Sequence, residues 1–184
     1  MDELFRVAAE LQSGLDRLGL PNCIIGGLAL QAWGELRLTR DVDFSVLTGF
    51  DDEERKIDQI LTIVTARYPN AIDFALKNRV ILGLVGGTVP VDIGLAGFDY
   101  ETRTLDRSVE FDFGAGRTLR VCSASDLVIM KVFAGRERDF DDVIGVLKRS
   151  KELLNWNLIE AELAPLLEAI DAPDRLSWLT QRRA

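Results

Sequence analysis

The sequence predicts an α+β protein, with a small mixed β-sheet, flanking helices and a helical C-terminal part. Short apolar runs with the two-residue alternation of strands fall between residues 22 and 122. Amphipathic helical patterns lie between the earlier runs, and helical periodicity dominates from residue 123 onward. We therefore expect an α/β core over residues 1–122 and a helical part over residues 123–184, packed on the core as one compact unit.

Each element of the core has a local signal. Apolar spacing indicates helices, β-branched alternation indicates strands, and Gly86-Gly87 supplies the positive φ of a tight hairpin. The predicted elements are a helix over 2–18, a strand over 23–25, a helix over 28–34, a strand over 41–47, a helix over 52–67, a hairpin of strands 80–85 and 89–95, and a hairpin of strands 109–113 and 118–122.

The helical part begins with a capping box. Ser123 and Asp126 have the spacing in which each side chain caps the backbone of the other, directly before an apolar helix over 127–134. An amphipathic helix is expected over 136–149, and a last helical segment over 155–182, with breaks at Pro165 and Pro173.

Composition excludes several kinds of chemistry. The chain has no histidine, which excludes Ser-His-Asp and Cys-His catalysis and His-ligated zinc. It has two distant cysteines, so a metal site must be built from oxygen ligands. The net charge of −8 argues against a large nucleic-acid footprint. No apolar stretch is long enough to span a membrane, and a cytoplasmic location is expected.

Three aspartates form the strongest functional signal. Asp41 and Asp43 share one face of a predicted strand, and Asp92 lies on a later strand. Two unit charges about 4 Å apart repel by roughly 4 kcal/mol at an effective dielectric near 20, a cost that a divalent cation removes. Oxygen ligands suit Mg²⁺ or Mn²⁺. The turn Gly26-Gly27, at the start of a helix, offers backbone N–H groups to phosphate. Together these residues indicate a metal–nucleotide site.

These residues carry a family resemblance. The order Gly26-Gly27, thirteen intervening residues, Asp41-Val42-Asp43-Phe44 and later Val91-Asp92-Ile93 resembles the polymerase-β-like nucleotidyltransferase superfamily. Arg37-x-Thr39-x-Asp41-x-Asp43, followed downstream by the segment from Ser125 to Val143, is similar to the AbiEii-type nucleotidyltransferases. Members of that group are known as toxins of type IV toxin–antitoxin and abortive-infection systems and as uncharacterised relatives. The match covers about residues 20–147.

The resemblance implies roles for individual residues. Asp41, Asp43 and Asp92 would be the catalytic and metal-binding carboxylates of a nucleotidyltransferase core. The nucleotide phosphates would contact Gly26, Gly27, Arg37, Thr39 and Lys131, with Arg138, Asp139 and Asp142 in supporting positions. The reaction would move a nucleoside monophosphate from an NTP to a hydroxyl of a tRNA, a protein or a small molecule. A toxin-like role would add an antitoxin protein as partner.

Two alternatives remain open at this point. Asp41-Val42-Asp43-Phe44-Ser45 also fits the motif of haloacid-dehalogenase-like phosphatases, with Lys131 as the phosphate lysine. That reading requires a long strand running directly into Asp41, and it leaves Gly26-Gly27 without a role. The second alternative is a non-catalytic nucleotide-binding module on the same fold.

Overall fold

A seven-stranded mixed β-sheet organises the first part of the chain, as expected from the predicted α+β class. The computed structural model describes residues 2–183. In chain order the elements are helix α1 (Asp2–Arg17), strand β1 (Asn22–Ile25), helix α2 (Gly26–Trp33), strand β2 (Val42–Leu47), helix α3 (Glu53–Leu61), strand β3 (Thr65–Ala66), helix α4 (Ala71–Asn78), strands β4 (Val80–Val85) and β5 (Val89–Ala96), helix α5 (Asp99–Asp106), strands β6 (Val109–Asp112) and β7 (Thr118–Val121), and helices α6 (Ala124–Ala134), α7 (Glu137–Ser150), α8 (Trp156–Ala169) and α9 (Asp174–Thr180).

The chain forms two compact units. Among the described residues, the first contains 2–29 and 38–122, and the second contains 30–37 and 123–183. Helix α2 therefore begins in the first unit, whereas residues 30–37 belong with the C-terminal helices.

The sheet of the first unit has the strand order β3-β4-β5-β2-β1-β7-β6. Strands β2 and β5, which carry the acidic motifs, are parallel neighbours near its centre. Their inward residues alternate with half-exposed ones, so Val42, Phe44 and Val46 are buried while the acids face the other side. Helix α1 buries an apolar face over Leu4–Leu15. The sheet thus presents a central face on which polar side chains can meet.

The second unit is helical. Ser123 caps α6 by accepting from the Asp126 N–H at 3.1 Å, as the capping-box spacing predicts, and its hydroxyl also donates to the Asp126 carboxylate at 2.5 Å. Helix α8 continues through Pro165, so the predicted break there is wrong. Its buried residues Ile159, Leu163 and Leu167 hold the helix together despite the lost backbone hydrogen bond. Pro173 does precede a new helix, α9.

Several elements differ from the sequence-based expectations in the first unit. The helix expected over 52–67 ends at Leu61, and β3 follows it as a short edge strand. Helices α4 and α5 have no counterpart in the sequence-based assignment. Helical periodicity did not distinguish the end of α3 from β3, because a two-residue strand has no period of its own. No helix among residues 2–183 is long and apolar enough to cross a bilayer.

Candidate active site

Three carboxylates converge on one face of the sheet. Asp43 on β2 lies directly opposite Asp92 on β5, and Asp41 immediately precedes β2. Residues opposite each other in neighbouring strands point to the same side, and so does a residue two positions earlier along the strand. One carboxylate oxygen from each aspartate lies within 4.8 Å of the others, and all three residues are half-buried. We call these three residues the acidic triad.

The Gly26-Gly27 turn lies against the triad. Gly26 has φ +62°, and a Cβ there would lie 2.0 Å from Oδ2 of Asp43. The Gly27 N–H donates to the same oxygen at 3.2 Å. A Cβ on Gly27 would lie 2.6 Å from Oγ1 of Thr39. The glycines are therefore required by contacts within the protein itself, and one of their N–H groups orients a triad carboxylate.

Thr39 orients the first carboxylate of the triad. Its hydroxyl donates to Oδ1 of Asp41 at 2.9 Å, and the residue is 6% exposed. Asp41 and Asp43 thus each receive a hydrogen bond that fixes the side chain, the first from Thr39 and the second from the Gly27 backbone. Such fixing favours a site that binds a ligand without a large reorganisation of its own groups.

The third carboxylate, Asp92, is paired with Arg67. The Arg67 guanidinium donates to Oδ1 of Asp92 in a close ion pair, with about a third of each side chain exposed. Burial raises the pKa of Asp92, the Arg67 charge lowers it, and the negative charge of Asp41 raises it further, so the net shift is upward. The carboxylate is accordingly a stronger proton acceptor than an ordinary aspartate.

Arg67 is a site residue that the sequence did not reveal, because residues 52–67 carry a helical pattern. It follows edge strand β3, and its N–H continues the ladder by donating to the Leu82 carbonyl at 2.9 Å. The available signal was the β-branched pair Val64-Thr65 shortly before Pro69, which is typical of a short edge strand.

Four other predicted site residues meet in the second unit, namely Arg37, Lys131, Asp139 and Asp142, and Arg136 joins them. Lys131 donates to Asp139 at 2.9 Å and to Asp142 at 2.7 Å, and its side chain is 7% exposed. Arg37 forms a two-point contact with Asp142 at 2.8 and 3.2 Å, and Arg136 does the same with Asp139 at 2.5 and 3.2 Å. We call these five residues the buried ion network, because Lys131 and both aspartates are buried, although the Arg37 and Arg136 side chains are 36% and 59% exposed.

In the network, three cationic side chains meet two carboxylates, so the positive charges outnumber the negative ones by one. Burial raises the pKa of Asp139, but hydrogen bonds from Arg136 and Lys131 outweigh it and hold the value below that of an ordinary aspartate. Arg138, predicted as a supporting residue, is exposed on α7. The structure therefore divides the predicted site residues: Gly26, Gly27, Thr39 and the acidic triad lie in the first unit, and the remainder lie in the second.

Comparison with known proteins supplies the family. The family described as "nucleotidyltransferase of unknown function" (DUF6036) matches residues 2–170. No curated protein matches the chain by sequence.

Solved structures share the fold at low sequence identity. The antibiotic-resistance factor ANT(2'')-Ia, determined in solution, has a TM-score of 0.57 at 14% identity, over 98% of this chain and 96% of its own. A crystal structure of ANT(2'')-Ia in complex with adenylyl-2''-tobramycin has a TM-score of 0.55 at 14% identity, over 90% and 98%. An antigenic nucleotidyltransferase-like protein from Paracoccidioides brasiliensis has a TM-score of 0.54 at 20% identity, over 97% and 93%. The fold is thus that of nucleotidyltransferases, and with the match over residues 2–170 the chain belongs to the family of nucleotidyltransferases of unknown function.

Proposed function

We propose that this protein transfers a nucleoside monophosphate from an NTP to a hydroxyl acceptor, with release of pyrophosphate, using Mg²⁺ or Mn²⁺ held by Asp41, Asp43 and Asp92. The observation that carries the proposal is the convergence of three carboxylates from two parallel strands, within 4.8 Å of one another. Family membership supplies the reaction class, nucleotidyl transfer. The metal dependence and the hydroxyl acceptor are inferred from the acidic triad.

The donor set fits a hard divalent cation. Ligand oxygens lie about 2.1 Å from Mg²⁺, so two ligands of one octahedral ion are about 3.0 Å apart when adjacent and about 4.2 Å apart when opposite. The triad oxygens, within 4.8 Å of one another, would move closer together by side-chain rotation to bind one ion. They also suit a pair of ions about 3.5–4 Å apart. When bound, the metal would stabilise charge on the transferred phosphate and on the leaving pyrophosphate.

The chain's own residues would prepare the reactants. Thr39 and the Gly27 N–H fix Asp41 and Asp43. Asp92 would position the acceptor hydroxyl and take its proton, because it lies beside the two carboxylates that would hold the metal. With the nucleophile fixed beside the α-phosphorus, the transfer would proceed as an in-line displacement.

Nucleotide contacts remain part of the proposal. Gly26 and Gly27 lie beside the triad, so bound phosphates would pass close to the turn. The Arg37 side chain is 36% exposed, which leaves surface for a phosphate oxygen. Lys131 is nearly fully buried on two carboxylates and would have to release one to reach phosphate. Arg138, Asp139 and Asp142 would support these cations.

The finer assignment is an AbiEii-type enzyme of the cytoplasm, where NTPs are available. Arg37-x-Thr39-x-Asp41-x-Asp43 supports it. A toxin-like role would make an antitoxin protein the partner, and a tRNA, protein or small-molecule hydroxyl the acceptor. The corresponding test is growth arrest on expression of wild type but not of Asp43→Asn, with relief by a neighbouring gene.

The phosphatase alternative is less well supported. It requires a strand running into Asp41, but residues 35–40 have no regular secondary structure and Asp41 precedes β2. Membership of a nucleotidyltransferase family also argues against it.

Label position in the NTP tests the proposal directly. The protein is incubated with Mg²⁺ and NTP labelled on either the α- or the γ-phosphate, beside pools of tRNA, protein and small molecules. Nucleotidyl transfer puts the α-label, and not the γ-label, on an acceptor. Transfer of γ-label, or release of inorganic phosphate alone, would contradict it. Asp43→Asn is the inactive control, and Asp58→Asn, an exposed aspartate on α3, is the matched active control.

A further inference from the structure

Arg67 and the acidic triad lie in one row across the sheet. In the ladders, Ile25 faces Asp43, Asp43 faces Asp92, and Asp92 faces Leu82. The Arg67 N–H bonds to the Leu82 carbonyl, which extends the row to edge strand β3. Residues in such a row point to the same face of the sheet. The Arg67 guanidinium therefore reaches over β4 to Asp92, a carboxylate two strands away.

The contact has a clear electrostatic reason. Three carboxylates within 4.8 Å repel one another, and a positive charge at their edge lowers that cost. Arg67 supplies one such charge through a charge-assisted hydrogen bond to Asp92. A divalent cation bound by Asp92 would supply the same kind of compensation.

We propose that Arg67 is an internal competitor for the metal: it occupies Asp92 in the metal-free protein, and a divalent cation that uses Asp92 must displace it. This inference rests on the proposed function, because it assumes that the triad binds metal. Arg67 is then a positioning residue that acts through Asp92. It holds the third carboxylate in place while no cation is bound and lowers the affinity of the site for the bare ion.

The position of Arg67 permits the exchange. The residue follows a two-residue edge strand, and about a third of its side chain is exposed. Its guanidinium can therefore leave Asp92 for solvent without breaking a buried contact. The pair is only half-buried, so we expect it to lower metal affinity by about five- to tenfold rather than to block binding.

Binding of Mn²⁺ alone, measured by calorimetry without nucleotide, tests the inference. We expect Arg67→Gln to bind Mn²⁺ about five- to tenfold more tightly than wild type, and to gain more thermal stability from it. Arg67→Lys, which keeps the charge, should restore most of the wild-type affinity. Arg55→Gln, which removes an exposed arginine paired with Asp52, is the matched control and should leave affinity unchanged.

A double-mutant cycle with Asp92→Asn separates the contact from a general loss of positive charge. If Arg67 acts through Asp92, Arg67→Gln should have no effect on Mn²⁺ affinity in the Asp92→Asn background. Equal or weaker Mn²⁺ binding by Arg67→Gln, or the same gain in both backgrounds, would overturn the inference and leave the metal site intact. Absence of Mn²⁺ binding in wild type and Arg67→Gln alike would overturn the proposed metal site and the inference with it.

Discussion

The acidic triad and the buried ion network both contain aspartates in contact with cationic side chains, but their charge balance differs. In the network, two carboxylates meet Arg37, Lys131 and Arg136, and the pKa of Asp139 is lowered because hydrogen bonds from cations outweigh its burial. In the triad, burial and the negative charge of Asp41 outweigh the charge of Arg67, and the pKa of Asp92 is raised. Charge balance, and not residue type, distinguishes the ion network from the acidic triad, which we propose as the site of a cation.

Burial divides the two groups in the same way. Asp139 and Asp142 have side chains 0% and 5% exposed, whereas the triad residues are half-buried and accessible to a ligand. Buried charges without partners are costly, so the network should govern stability and the triad should govern binding. Each variant below tests one side of that comparison.

The largest effect is expected from Lys131→Met. This change removes the cation shared by Asp139 and Asp142 and leaves two buried carboxylates less compensated. We expect the free energy of unfolding to fall by about 3–5 kcal/mol in urea denaturation. Lys148→Met, which breaks an exposed pair with Glu35, is the control and should cost at most about 1 kcal/mol.

The nucleotide affinity of Lys131→Met, measured under conditions in which this variant is folded, tests the predicted phosphate contact of Lys131. A large loss of NTP affinity with little loss of stability would reverse the comparison, because Lys131 would then belong to the binding site.

Asp92→Asn should separate catalysis from binding. Asparagine keeps the size and one acceptor oxygen, so the fold and the Mg²⁺–NTP contacts of Asp41 and Asp43 should survive. Loss of the proton acceptor should slow transfer by roughly 10²-fold or more. Single-turnover transfer, measured beside equilibrium NTP binding, checks this expectation. Transfer at the wild-type rate would remove Asp92 from the reaction.

Gly27→Val should disturb the triad and lower NTP affinity, by less than the effects expected of Lys131→Met and Asp92→Asn. The new side chain would meet Thr39, whose hydroxyl orients Asp41. We expect NTP affinity to fall by more than tenfold, which is a loss of more than about 1.4 kcal/mol. Gly94→Ala on β5 is the matched control, because its Cβ would lie at an ordinary 3.5 Å from the nearest atom, the Phe44 carbonyl oxygen. Unchanged affinity in Gly27→Val would mean that the turn has no part in nucleotide binding.

The sequence predicted the triad better than the network, for a physical reason. Strand alternation and the Gly26-Gly27 turn are local patterns, so Asp41, Asp43 and Asp92 could be placed on common faces before the fold was known. The partners of Lys131 depend on how α6 packs on α7, which no local pattern specifies. Arg67 was not predicted as a site residue because β3, the strand that precedes it, is only two residues long. The helix break predicted at Pro165 was wrong because buried packing along α8 outweighs one missing hydrogen bond.

Calorimetric titration of Mg²⁺–NTP into wild type and Asp43→Asn tests the central claim most directly. Asparagine retains an oxygen that can accept the Gly27 N–H, so the turn should keep its shape while the cation loses a charged ligand. We predict binding by wild type and by the Asp58→Asn control, and loss of metal-dependent binding in Asp43→Asn. Equal Mg²⁺–NTP affinity in Asp43→Asn and wild type would contradict the assignment of the acidic triad as the metal–nucleotide site.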